Sequence, residues 1–302
     1  MLVMNNVDNS EVIMKIRLLL NSIIGNVLKF KVWFHLLLNI PPKKSSKCAK
    51  NVVVSLTSYG RRVSKSVPYT IFSILKQTVE PEEIVLWLDY DNWNKDNLPF
   101  SLRRMIEWKR LKVMFCKDIR SYKKLIPALE EYSDKAIVTV DDDVYYSSNL
   151  IYGLYKQYVL FPNKILFYYS YTYSYKNGYK CTFPIGERGV LYPQKVLDKM
   201  VFNEQLRSEL CPLLDDLWFY VMARLSGADF LPVSQIGLHY YHVDLFYQWF
   251  HKGSRLYDVV KTENKDNENQ GGTQQKIKFM VIEPAKGEYK DVFGGVEDVD
   301  VY

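Results

Sequence analysis

Asp141, Asp142 and Asp143 follow one another directly after the apolar run 136–140, where a buried strand would end. Three adjacent carboxylates raise one another's pKa unless a cation or a hydrogen-bond donor compensates. On extended backbone Asp141 and Asp143 would point to one side and Asp142 to the other. Asp141 and Asp143 would then address one hard divalent ion, directly or through its water, and Asp142 a separate donor. Carboxylate oxygens suit Mg2+ or Mn2+, which keep positions open for phosphate oxygens. Such an ion, bridging two phosphates, would neutralise the charge that develops on a departing nucleoside diphosphate. Arg61 and Arg62, Arg120, Lys123 and Lys124 are the basic candidates for the same phosphates. A solvated surface charge is the plainer reading of each.

A second acidic pair, Asp215-Asp216, opens the apolar pattern Leu217, Val221, Leu225, whose spacing predicts a helix stopped by Gly227. Carboxylates are stabilised at a helix N-terminus. Either acid would orient an acceptor hydroxyl and take its proton, with Asp216 the candidate base and helix capping by Asp215 the plainer account of part of the signal. His239 and His242 are three apart in an aromatic stretch. One of them, His239 first, is a candidate third metal ligand or phosphate contact; both read equally as structural histidines.

These residues need elements to bring them together. The runs 51–57, 84–88, 111–115 and 136–140 read as strands, nearly continuous in apolar character as parallel strands are when both faces are covered. Helices are predicted over 67–76, 125–132, 150–160 and from Pro193 to Met200. Strand, helix and strand at this spacing predict an α/β fold with a mostly parallel central sheet and flanking helices. Ligands bind outside the carboxyl ends of such strands, which is where 57–62, Asp89 and 141–143 fall. Residues 167–175 alternate Tyr with Ser and Thr, and Asn177-Gly178 is a hairpin turn signal. Their tyrosines read either as a wall beside a sugar acceptor or as a face covering the core.

The 302 residues carry a formal charge of +6, all of it within residues 1–50, where eight basic residues face two acidic ones. The remainder balances at 32 of each sign, which argues against a nucleic-acid binder. Residues 12–40 are apolar but interrupted by Lys15, Arg17, Lys29, Lys31 and His35, a poor membrane span. They read as basic amphipathic helix on an anionic membrane surface, or as a helical cap on the domain or a site for a partner protein. No cleavable signal is expected, because Pro41-Pro42-Lys43-Lys44 follows instead of a small-residue cleavage pattern. Cys48, Cys116, Cys181 and Cys211 form no zinc spacing and read as thiols of a reducing compartment. The expected organisation is a basic helical segment over 1–40, a linker over 41–50, a catalytic domain over 51–256 and an extension over 257–302.

The element Val140-Asp141-Asp142-Asp143-Val144-Tyr145-Tyr146, the opening Ser55-Leu56-Thr57-Ser58-Tyr59-Gly60-Arg61-Arg62 and the segment 121–128 resemble the GT-A family of nucleotide-sugar glycosyltransferases. The three-aspartate form and the later paired acids are also similar to bacterial polysaccharide and exostosin-type transferases. The resemblance, over roughly 51–227, implies that Thr57, Tyr59 and Arg61 surround base and ribose, with Asp89 near the nucleoside. It implies Lys124 toward the diphosphate, Asp141 and Asp142 in the donor site, Asp143 as main ligand of Mn2+ or Mg2+, and Asp216 as catalytic carboxylate. The segment Glu187-Arg188-Gly189 falls where many members place small residues. The implied donor is a UDP-sugar, the acceptor a glycan or lipid-linked hydroxyl, and the setting cytoplasmic and peripheral to the membrane. A nucleotidyltransferase, a haloacid-dehalogenase-type phosphohydrolase and a non-catalytic binding domain are the rival readings.

Overall fold

The computed structural model describes residues 9–174 and 180–243. The Asn177-Gly178 turn, His251 and the extension over 257–302 lie outside the described residues. In chain order the elements are α1 (Asn9–Leu37), β1 (Cys48–Thr57), α2 (Arg62–Lys65), α3 (Val67–Ile74), β2 (Glu80–Asp89), α4 (Phe100–Glu107), β3 (Lys112–Cys116) and α5 (Ile126–Glu131). There follow β4 (Ala136–Thr139), β5 (Val144–Tyr146), α6 (Leu150–Leu160), β6 (Lys164–Phe167), β7 (Ser170–Ser174), β8 (Lys180–Pro184) and β9 (Val190–Tyr192). The last are α7 (Glu204–Leu210), α8 (Asp215–Leu225), β10 (Asp229–Pro232) and β11 (Tyr240–His242).

β1 lies near the centre of a seven-stranded sheet in the order β10-β6-β9-β4-β1-β2-β3. Its sequence explains the position: Val52, Val54 and Leu56 enter one core, Val53 enters the other, and all four are fully buried. A side chain of that kind contributes roughly 1.5–3 kcal/mol on burial, so a strand apolar on both faces is most stable with helices on both sides. Parallel pairs join β1 to β2, β1 to β4, β2 to β3 and β6 to β10. β9 runs antiparallel between β4 and β6. The architecture is a Rossmann-like α/β fold with the topology of the GT-A class, as expected.

α1 is one continuous helix packed on β11, α3 and α4. Val32 and Leu36 enter the core, and the His35 ring stands 5.0 Å from Phe72. Asn21 grips the free edge of β11, donating to the Tyr240 carbonyl at 3.3 Å and accepting from the His242 N–H at 3.2 Å. A Cβ at Gly25 would stand 3.0 Å from the His242 carbonyl oxygen, so glycine sets this close approach. The following segment is tied to the sheet, with Ser45 bonded to Glu80 and Thr78 and Arg110 donating to the Pro42 carbonyl.

Two expected elements differ. The run 167–175 is not one strand: β6 ends at Phe167 in the main sheet, and β7 begins at Ser170 in a separate hairpin with β8. Tyr168 between them is buried and donates to the Leu150 carbonyl at 2.7 Å. Tyr171 is exposed and pairs edge-on with Phe183, so at that position the hairpin does not cover the core. The helix expected from Pro193 to Met200 is absent. Lys195 takes a positive φ of 54°, and Asp198 accepts from the Met200 N–H at 2.8 Å to start a short 3-10 turn instead. Among the thiols, Cys48 is exposed and Cys211 buried.

Candidate functional site

The three aspartates do not lie on extended strand. β4 stops at Thr139, and Asp141, Asp142 and Asp143 form the turn into β5. The strand-alternation argument for their directions is therefore overturned, and specific donors set them instead. The Val140 N–H bonds to the Ser55 carbonyl, the Asp141 N–H donates to the Tyr146 hydroxyl at 2.9 Å, and the Val243 N–H donates to the Asp143 carbonyl at 2.9 Å. The Tyr146 hydroxyl in turn donates to the Glu187 carbonyl at 2.7 Å, joining the aspartate turn to the segment 186–188.

Asp142 is turned inward. The Ser58 hydroxyl donates to one of its oxygens at 2.5 Å, and the Arg62 guanidinium reaches the other at 2.6 Å. Arg62 also bonds Asp143 at 2.9 Å and stacks over the Tyr59 ring at 5.6 Å. Gly60, with φ of +50°, makes the turn that brings Arg62 back over the end of β1. Burial pushes the Asp142 carboxyl up to about 7 against the pull of Arg62, while the two acids raise the guanidinium's own pKa.

Lys124 organises the other half. Its ammonium is buried between two segments far apart in sequence, 3.1 Å from Asp141, 2.9 Å from Asp215 and 3.7 Å from Asp216. The Asp215 contact is a buried ion pair. The carboxylates hold the ammonium protonated despite its burial. The Ser55 hydroxyl donates to the Lys124 carbonyl at 2.6 Å and accepts from the Trp87 indole at 3.0 Å, fixing the backbone behind it. α8 begins at Asp215 with Leu214 as its cap residue. The capping role expected of Asp215 is therefore not found, because its side chain faces Lys124. Asp216 accepts from the Gly186 N–H at 3.1 Å, and burial pushes its carboxyl up to about 7 against the pull of Lys124.

Side-chain exposure divides the acids. Asp142 and Asp215 retain 7% and 8%, whereas Asp141, Asp143 and Asp216 retain 36%, 16% and 21%. The first two are positioned to hold Arg62 and Lys124; the other three can meet a ligand. Five carboxylates share two basic side chains at this end of the sheet, an excess of negative charge that a bound cation would relieve. Among the described residues no group of three or more His, Cys, Asp and Glu side chains is arranged to hold a metal ion. A magnesium-type ion does not need such a cage, because one or two carboxylates serve with substrate phosphates and water completing the shell. Asp141 and Asp143 fit that donor set, provided Arg62 yields its contact with Asp143.

The remaining sequence candidates are more dispersed. The Thr57 hydroxyl donates to the Trp87 carbonyl at 2.9 Å at the end of β1. Tyr59 and Arg61 are exposed in the following loop. The buried Asp89 carboxylate accepts from the Asn92 backbone and side chain at 2.9 and 2.6 Å, shaping its own turn. His239 is exposed ahead of β11, whereas His242 approaches Glu187 at 3.2 Å. Sequence reasoning did not single out Ser58, Tyr146 or Gly186. A Cβ at Gly186 would lie 2.7 Å from the Lys124 ammonium and 2.9 Å from an Asp216 oxygen. Its proximity to Glu187-Arg188-Gly189 was the available signal.

No protein-family model matches the chain, and no curated protein matches it. Among solved structures it is similar to a mannosyltransferase from Pyrobaculum calidifontis in complex with GDP-Man and Mn2+, at 14% identity and a TM-score of 0.33. That match covers 50% of this chain and about half, 48%, of the mannosyltransferase. It is also similar to an apo UDP-glucose pyrophosphorylase, at 8% identity and a TM-score of 0.41, over 74% of this chain and 99% of that one. At these scores the chemistry of the site rests on this chain's own residues. Fold and site together define a Rossmann-like α/β domain of GT-A topology with an acid-rich centre at the carboxyl ends of its strands.

Proposed function

We propose that this chain is a metal-dependent glycosyltransferase, moving a sugar from a nucleoside diphosphate donor, UDP-linked by first preference, to a hydroxyl of a glycan or lipid-linked acceptor. The observation that carries the reading is the buried Lys124 ammonium. It draws Asp141, from the turn after β4, and Asp215 and Asp216, from the start of α8, around one point. In this reading Asp143, with Asp141, would hold Mn2+ or Mg2+, which supplies Lewis-acid neutralisation of the departing diphosphate. Lys124 adds fixed positive charge beside Asp141. Asp142 and Asp215 keep Arg62 and Lys124 in place. Asp216, oriented by the Gly186 N–H, accepts the proton of the incoming hydroxyl. Thr57, Tyr59 and Arg61 flank the nucleoside at the end of β1, Asp89 holds the neighbouring turn, and His239 remains the sequence candidate for a further ligand.

A product assay on a panel of nucleotide-sugars, with Mn2+ or Mg2+ and with chelator, tests the reaction class. The expected product is nucleoside diphosphate from one donor, abolished by chelator. Nucleotide-sugar and pyrophosphate made from a sugar phosphate and a nucleoside triphosphate would instead indicate nucleotidyl transfer. Inorganic phosphate released from a phosphomonoester would indicate a phosphohydrolase.

A further inference from the structure

The outer surface of α1 has no place in the proposed reaction. Its inner face is set by Asn21, Gly25, Val32 and Leu36, which meet β11 and the core. On a helix with 3.6 residues per turn, Ile23, Val27, Phe30 and Phe34 recur on the opposite side. They stand 52%, 64%, 68% and 48% exposed. Among the described residues, eleven of the twenty-four exposed large hydrophobic side chains fall between Leu19 and Ile40. The other thirteen are spread over the rest of the fold, so this stretch is a concentrated patch, of the kind that marks an interaction surface.

Charge indicates what covers it. Lys31, one turn beyond Val27, is exposed at the edge of the stripe, and Lys43, Lys44, Lys47 and Lys50 are exposed just after the helix. Residues 1–50 carry the whole excess of +6, and the other residues balance. A second copy of the chain would bring the same basic residues face to face, which charge repulsion opposes. An anionic lipid surface complements both features: acyl chains meet the apolar stripe and headgroups meet the lysines. No helix among the described residues is long and apolar enough to cross a membrane, so a helix with this pattern would lie in the interface. We infer that α1 is a membrane-docking helix whose outward face, centred on Val27, Phe30 and Phe34, binds an anionic bilayer surface while its inward face holds β11.

The inference does not depend on the proposed reaction. The test uses the full chain with vesicles of phosphatidylcholine alone or mixed with phosphatidylglycerol, read by sedimentation, with molar mass in solution measured by light scattering. Association with the anionic vesicles is expected to exceed that with neutral ones at least tenfold and to weaken in 0.5 M salt. The triple variant Val27→Ser, Phe30→Ser, Phe34→Ser and the variant Lys31→Glu, Lys43→Glu, Lys44→Glu should each lose at least tenfold. Both should keep the parent's circular dichroism, since every altered residue is exposed. Equal association with both vesicle types, or none with either, would overturn the inference. A dimer that the triple variant converts to monomer would also overturn it, by assigning the face to a second copy; a monomer bound to no vesicle would assign it to a partner protein or to residues after 243. Thermal stabilisation by a nucleoside diphosphate, measured on the same variants, reads the proposed reaction separately.

Discussion

Gly186 leaves no room for a side chain beside Lys124 and Asp216. Its backbone N–H orients Asp216, and the space a side chain would need is filled by the Lys124 ammonium and the Asp216 carboxylate. A lysine terminus ordinarily gives way cheaply, but this one is held by three carboxylates. Gly186→Ala is therefore expected to lower turnover by about 10²-fold, the scale of an ångström-sized misplacement of reacting groups, with a small change in melting temperature. Turnover and thermal melts measured on one preparation check it. Asp216 carries the pH dependence. With its carboxyl at about 7, the base is neutral below that value and ionised above it, so turnover should rise with pH through about 7. Stability should run the other way: the folded state keeps a proton that an unfolded aspartate releases near pH ~4. Folding stability then falls as pH rises from about 4 to about 7. Asp216→Asn should abolish transfer, retain donor binding and flatten part of that decline, as pH-dependent kinetics and urea unfolding would show.

Among the elements, β11 ties the N-terminal helix α1 to the aspartate turn. β11 pairs with β5, whose first residue follows Asp143, and α1 seals the outer edge of β11. Leu36→Ala, removing a buried side chain at the other end of α1, should cost roughly 2–5 kcal/mol in urea unfolding. The contrast between elements also shows what local sequence can reveal. The runs around Val52–Leu56 and Ile84–Leu88 are apolar without alternation because helices cover both faces, and this pattern is visible residue by residue. The break at Tyr168 was not, because it depends on Leu150 and on space left by Gly153, far from the tyrosine alternation that suggested one strand. The missing helix after Pro193 has a similar origin: Lys195 in a left-handed conformation and the Asp198 side chain outweigh a locally helical apolar pattern. At the candidate site the acids themselves were legible, as costly carboxylates after a buried run and as an acidic pair at a helix start. Their directions were not, since Ser58 and Arg62 lie 84 and 80 positions from Asp142.

Over the whole molecule, charge is divided between two tasks. Residues 51–302 hold no excess of either sign, as the +6 of residues 1–50 already equals the total. Any field that gathers an anionic donor must then be local, and locally the strand ends are acidic: five carboxylates against Arg62 and Lys124. A bare diphosphate would be repelled there; a divalent cation held between the acids and the diphosphate would offset that repulsion. The account is tested most directly by calorimetric titration of UDP into the full chain, with Mn2+ or Mg2+ and then with chelator, repeated on Asp143→Ala. The prediction is binding that requires the cation and weakens at least tenfold in the variant. Tight binding that persists in chelator and is unchanged by Asp143→Ala would contradict it.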